Sequence, residues 1–285
     1  MLTRLTVLLL IAGMIGVAGC RRRTVSPSQV VVITGQQITD DPNDGRWWYL
    51  PYHPAKLILQ DMVEPRLMEP STAEVEVTAM TDGKRVAFRL EWIDDSQNDL
   101  PGPQHFIDAC AIQLPQKQEA NVPAPQMGEE NKTVEIAYWR ADWQAIVDGR
   151  ADEITSIYPN ASIDHYPFRA ESLKKDPKAQ AEMERRYAPA RRLGNNRSGP
   201  RKQPVEDMLA QGPGTLTRTD SVSSGRGVKT DKGWAVVIIR PLPDGLSPKN
   251  GSNIAFAIWQ GAHKEAGARK MRTGWVPLAL KDPDK

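Results

Sequence analysis

The sequence predicts an all-β protein, an antiparallel β-sandwich with long loops and a few short helices. Three observations carry this. Residues 74–80 and 85–92 alternate between apolar and polar on either side of Asp82-Gly83, which is the pattern of a hairpin. Residues 253–259 alternate again, and Trp234 to Ile239 is continuously apolar, as in a central strand buried on both faces. Strands with one apolar face need a second layer to cover it, which implies a sandwich.

The first twenty residues stand outside that fold. Arg4 precedes an apolar run from Leu5 to Val17, and Val17-Ala18-Gly19-Cys20 closes it. A charge, an apolar stretch and small residues form a secretory signal, here residues 1–19. The cysteine after Ala-Gly has the form of a lipobox, in which Cys20 is lipidated and becomes the mature N-terminus. The other readings are a plain cleaved signal and an uncleaved anchor, although the run falls short of the roughly 20 apolar residues of a spanning helix. Several acyl chains on Cys20 anchor a protein stably where one chain does not.

Removing Arg4 with the leader leaves 36 of the 37 basic residues against 35 acidic ones. Such near-neutrality does not point to nucleic acid. With Cys20 lipidated, Cys110 has no disulfide partner, so stability must come from the core. The sequence lacks Cys-x-x-Cys-His, zinc spacing, Gly-x-Gly-x-x-Gly, a Walker loop and Gly-x-Ser-x-Gly, and with them covalent haem, structural zinc and the common nucleotide and hydrolase sites.

Along the mature chain, residues 20–46 read as a tether and entry loop, and 47–285 as one domain. Val75, Val77 and Ala79 form one apolar face; Val86, Phe88, Leu90 and Trp92 form the next, across the Thr81–Lys84 turn. Cys110, Ile112 and Leu114 share a face, Val134, Ile136 and Tyr138 mark a further strand, and Ile254, Phe256 and Ile258 another. Val276, Leu278 and Leu280 form the last strand, and Pro277 within it predicts an edge. Residues 142–232 read as a long insertion, with a charged, exposed helix within Ser172 to Arg192 and a loop over Leu193 to Pro204. Long insertions in compact domains are usually functional or disordered.

Several segments then follow in a definite order: Pro65-Arg66; Leu90-Glu91-Trp92-Ile93-Asp94-Asp95; Asp108-Ala109-Cys110-Ala111; Pro125-Gln126-Met127-Gly128; Val134-Glu135-Ile136-Ala137-Tyr138-Trp139; Trp234 to Leu242; Ala255-Phe256-Ala257-Ile258-Trp259; and Gly267-Ala268-Arg269-Lys270 before Trp275. The set resembles the haem-b-binding γ subunits of the ethylbenzene dehydrogenase type. That group includes the γ subunits of dimethyl sulfide, selenate and chlorate enzymes and related nitrite oxidoreductase subunits, all parts of periplasmic molybdenum enzymes of the dimethyl sulfoxide reductase family. The resemblance runs from about Trp47 to Leu280.

It implies non-covalent haem b with two axial ligands, a methionine in the Met-Gly segment and a lysine before the last tryptophan. These fall on Met127 and Lys270. It also implies a non-catalytic electron-transfer subunit, partnered by a molybdenum catalytic subunit and an iron–sulfur subunit. With the lipobox it implies a lipid anchor at the periplasmic face of a membrane, a departure from the soluble members. A second departure is Met271, which sets another donor beside Lys270. A thioether raises the haem potential. An amine ligates only without its proton, and from a reference pKa near 10.4 freeing it at pH 7 costs roughly 4.6 kcal/mol. Burial reduces that cost.

Taken singly, each residue has a plainer reading. Met127 is a loop residue packing on the sheet, Lys270 a solvated charge, Asp108 a strand-end hydrogen-bonding residue and Cys110 a buried thiol. His53, His105, His165 and His263 remain possible iron ligands. The tryptophans are mostly core. The competing function is a haem-free lipoprotein sandwich that binds carbohydrate or another ligand through exposed tryptophans; a sandwich supports either use.

Overall fold

The structure, a computed structural model, describes residues 23–119, 121–151, 153–162, 175–193 and 201–283. The leader, Cys20 and His165 lie outside them. Its strands are β1 (Val30–Ile33), β2 (Tyr52–Lys56), β3 (Ile58–Leu59), β4 (Glu74–Thr81), β5 (Arg85–Ile93), β6 (Ala109–Pro115), β7 (Val134–Arg140), β8 (Val205–Ala210), β9 (Thr217–Arg218), β10 (Ser224–Lys229), β11 (Gly233–Pro241), β12 (Ser252–Trp259), β13 (Met271–Arg272) and β14 (Val276–Lys281). The helices are α1 (Ala141–Val147), α2 (Ile154–Ile157), α3 (Pro177–Tyr187) and α4 (Pro189–Arg192). Among the described residues no helix is long and apolar enough to cross a membrane.

The strands form two layers. One runs β10-β11-β5-β4-β1-β14, with β2 also on β4. The other runs β3-β13-β12-β6-β7-β8-β9. β12 belongs to both: Ser252–Ile254 pair with β14, and Ala255–Trp259 with β6. Between the layers lie Val75, Val77, Phe88, Leu90, Val236 and Ile238 from the first, and Cys110, Ile112, Leu114, Ile254, Phe256 and Ile258 from the second. The alternating faces read on β4, β5, β6 and β12 are therefore the core faces, whereas Val134, Ile136 and Tyr138 of β7 lie on the outer side and its Ala137 and Trp139 face the core. The β4–β5 hairpin turns at Gly83, whose φ of 88° suits the tight turn.

Three elements differ from the sequence reading. Residues 20–46 are more than a tether, because Val30–Ile33 are buried and form β1, parallel to β4 and β14. A run of β-branched residues covered on both faces does not alternate. β14 is not an edge, since it lies between β1 and β12. Pro277 is tolerated because it pairs only with Asn253 of β12; the pairing with β1 starts at Leu278. Residues 142–232 supply β8, β9 and β10. β10 was obscured by its glycines, which packing demands: a Cβ on Gly227 would come within 2.2 Å of the Trp139 ring. The charged helix expected within Ser172 to Arg192 is present as α3, followed by α4.

The outer faces of the two layers are finished differently. Outside the first, a 3-10 turn over Gly45–Tyr49 sets Trp47 across Val31, Met80, Ala87 and Val237. Outside the second, the covering is partial, and both Met127 and Lys270 lie on that side.

Candidate functional site

Register fixes what the outer face of the second layer presents. Trp259, Ala109 and Arg140 lie side by side; the next row is Arg272, Ala257, Ala111, Tyr138 and Glu206; the next is Ala255, Gln113, Ile136 and Met208. Alternation turns the intervening Cys110, Ile112, Phe256 and Ile258 inward. The centre of this face is thus a floor of alanines on β6 and β12, with Trp259, Tyr138, Ile136 and Met208 standing around it.

Lys270 flanks the Trp259 end. Its Nζ sits 5.1 Å from the centre of the Trp259 ring, and that ring is held in place by Nε1 donating to Gly267 O at 3.1 Å. Gln60 fixes the segment from the other side. Its backbone N–H donates to Lys270 O at 3.1 Å, and its side chain donates to Ala268 O at 3.0 Å. Lys270 is half-buried, and among the described residues no carboxylate pairs with its ammonium. Desolvation, and then the charge of Arg272, push its pKa from 10.5 down to about 8. Releasing the amine at pH 7 then costs about 1.4 kcal/mol, against roughly 4.6 for an unperturbed lysine.

Met127 comes from the opposite end. It packs against the same cluster, as do Tyr138, Ala257 and Trp275. Its loop is tied to the sheet by Gln113 Nε2 donating to Pro125 O at 3.0 Å and Trp275 Nε1 to Pro123 O at 2.6 Å. Met127 has φ 67° and Gly128 φ 80°. A Cβ on Gly128 would come within 2.7 Å of Lys132 O and 2.9 Å of Ala210 O, so glycine is required there. The loop is anchored on the row of Gln113, and Lys270 stands by the row of Trp259 and Ala109. The row of Ala257 and Ala111 lies between them. Successive rows are about 6.7 Å apart along the strands, so the two residues flank the alanines from different rows.

A model of the ethylbenzene dehydrogenase family matches residues 52–271 of the chain. This protein belongs to the ethylbenzene dehydrogenase family. A Haloferax mediterranei protein described as a putative respiratory nitrate reductase heme subunit is 21% identical over 269 residues, covering 92% of this chain and 75% of that one. Among solved structures, a family 9 carbohydrate-binding module from Caldicellulosiruptor kristjanssonii aligns in its glucose complex with a TM-score of 0.38 and in its cellotriose complex with 0.40, each at 10% identity. Each alignment covers 89% of this chain, and 95% and 93% of the module respectively. At that similarity nothing about a ligand passes to this chain.

The family match spans the alanine floor, Met127 and Lys270, and ends at Met271. Other features of this ethylbenzene dehydrogenase family member lie apart from it. His53 is buried in β2, with Nδ1 2.7 Å from Ser26 O. His105 and His263 are exposed. Among the described residues no three His, Cys, Asp or Glu side chains gather to hold a metal. Two surface clefts, of about 70 and 540 Å³, are lined by neither Met127 nor Lys270. Of the tryptophans only Trp48 is exposed, and the guanidiniums of Arg23 and Arg89 lie 5.1 and 5.4 Å from its ring. Cys110 is a buried free thiol whose pKa burial raises.

Asp108 is structural, as its place before a strand predicted. Oδ1 accepts from Gly261 N at 2.8 Å, and Oδ2 from Asn98 N at 2.7 Å and Trp234 Nε1 at 3.0 Å. Desolvation outweighs these bonds and raises its pKa to about 6. Glu265, also fully buried, accepts from Gln260 N at 2.9 Å and from Ser71 Oγ. Sequence reasoning missed Gln60, Glu265 and Arg272. It also missed the alanine floor, although Ala-Cys-Ala and Ala-Phe-Ala, small alternating with large, were its visible signal.

Proposed function

We propose that this protein is a haem b electron-transfer subunit of a molybdenum oxidoreductase complex, with Met127 and Lys270 as the axial ligands of the iron. One observation carries the proposal: a half-buried lysine with no carboxylate partner among the described residues shares an alanine-floored face with a methionine held at positive φ. Family membership and the heme subunit among its relatives support it.

The chain's own residues perform three tasks. Burial and Arg272 ready the Lys270 amine to give up its proton. The strained Met127-Gly128 turn presents a neutral, soft thioether. The alanines of β6 and β12 leave room for a flat group between the two, while Trp259, Tyr138 and Trp275 give it apolar walls. Bound haem supplies a one-electron couple, and two protein ligands leave no open position for substrate chemistry.

On this reading the partners are a molybdenum catalytic subunit and an iron–sulfur subunit. Export and lipidation of Cys20 hold the protein at the periplasmic face of a membrane. The test is a visible spectrum of the purified mature protein. A red protein with a sharp reduced Soret band and a low-spin spectrum is expected; a colourless protein that takes up no added haem overturns the proposal. Cys20→Ser should release the protein from the membrane, and an intact mass showing an unacylated N-terminus would refute the anchor.

A further inference from the structure

We propose that Arg272 is the carboxylate-binding residue of this site, its guanidinium taking an acidic side chain of the bound porphyrin. The inference rests on the proposed haem site and adds an anchor to it. Arg272 lies on the outer face in register with Ala257, two residues from Lys270. A group ligated by Lys270 and resting on the Ala257–Ala111 row therefore has Arg272 as its neighbour on that row.

Arg272 is only 8% exposed, and its charge lacks a proper partner. Nη1 reaches Thr273 O at 3.4 Å, Nη2 reaches Met62 Sδ at 3.8 Å, and the buried Nε meets no acceptor. Among the described residues no carboxylate pairs with it. Other buried arginines behave differently. Arg89 pairs with Glu91, Arg201 with Glu206 and Arg240 with Glu135. Buried charges are paired because desolvating them is costly, so an unpaired guanidinium beside an apolar floor is suited to an anion brought by the ligand. The planar fork matches a carboxylate with two parallel N–H donors. Lys270 cannot serve, since a protonated amine that pairs with a carboxylate is lost to the iron.

The test compares haemin with its dimethyl ester, in which both acids are masked, titrated into the full-length mature apoprotein and followed in the Soret band. Wild type should bind haemin about 10- to 100-fold more tightly than the ester, the range expected of a charged hydrogen bond. Arg272→Gln and Arg272→Met should bind haemin as weakly as the ester, should no longer distinguish the two, and should keep a low-spin spectrum because both iron ligands remain. Far-ultraviolet dichroism checks their folding. Either variant decides the matter if it folds, and Met keeps the apolar stem without the charge. Wild-type affinity for haemin in a folded variant, or undiminished discrimination, overturns the assignment. A wild type that binds haemin in low-spin form without discriminating the ester also overturns it and leaves the haem site standing. A wild type that binds neither overturns both.

Discussion

Lys270 and Met271 are consecutive residues that leave the chain toward opposite faces of the same sheet. Met271 lies in the core between the layers, 2% exposed, while Lys270 stands outside over Trp259. Two donors adjacent in sequence are thus separated by the thickness of the sheet, and Met271 cannot take the place of Lys270 on the outer face without turning the strand over.

The proposed iron ligands should respond to substitution differently from Met271. Lys270→Ala and Met127→Ala should each lose the wild-type low-spin spectrum, with a lower reduction potential for Met127→Ala. Met271→Leu should keep the spectrum and lose less than about 1.5 kcal/mol of stability. The lysine bond should fail first in acid, because the proton and the iron compete for one lone pair. Its depressed pKa moves that failure to lower pH than an ordinary amine would show. Spectra of the variants across pH check this; unchanged low-spin spectra in both alanine variants would sink the assignment.

The alanine floor should be as necessary as the ligands. Ala111→Leu adds a branched side chain to the outer cluster at a position only 5% exposed, at an overpacking cost of about 1–3 kcal/mol. Haem uptake should fall at least tenfold while strand dichroism stays near wild type. Retained affinity would mean that the porphyrin stands elsewhere.

Gly128→Ala tests the Met127 turn. It sets a Cβ against two carbonyl oxygens at 2.7 and 2.9 Å, at a φ of 80°. The strain is of order 1–3 kcal/mol, and the loop must shift to relieve it. The variant should fold with a slightly lower Tm and show a weakened thioether bond, seen as a mixed-spin spectrum and a fall in potential.

Asp108→Asn should act on stability and its pH dependence. The amide loses one of three well-placed acceptor contacts and turns a donor toward another, a cost of about 1–3 kcal/mol. In wild type the folded pKa, about 6, exceeds the ordinary 3.8, so between about pH 4 and 6 the folded state binds more protons than the unfolded one. Asp108 thus makes stability fall as pH rises through that window. Denaturant unfolding at pH 4, 5 and 6 should show this slope reduced in Asp108→Asn.

The legible part of the fold was the part that alternates. β4, β5, β6 and β12 each turn one large apolar face to the core and declare it with period two. β1 is covered on both faces and short, so it passed for a linker. β10, Ser-Gly-Arg-Gly-Val-Lys, has Gly227 against Trp139 and Gly225 against Val237 O and Val205, and a single sequence does not reveal those neighbours. The site divides in the same way. Met127 and Lys270 were reached through resemblance, since nothing in their spacing of more than a hundred residues relates them; the fold sets both on the outer side of one layer. Arg272 was invisible because its interest lies in the partner it lacks.

The pairing of Val30 with Leu278 has a consequence for how the protein is made. The earliest strand has the last strand as its flank, with nearly the whole chain between them. While a chain emerges N-terminus first, β1 can be held by β4 on one side only, and its other edge stays open until residues 276–281 arrive. Such distant pairings delay folding and expose unfinished edges. The sandwich is thus closed by a late clasp, and a polypeptide halted anywhere before Val276 presents an unmated Val-Val-Val-Ile edge to chaperones and proteases.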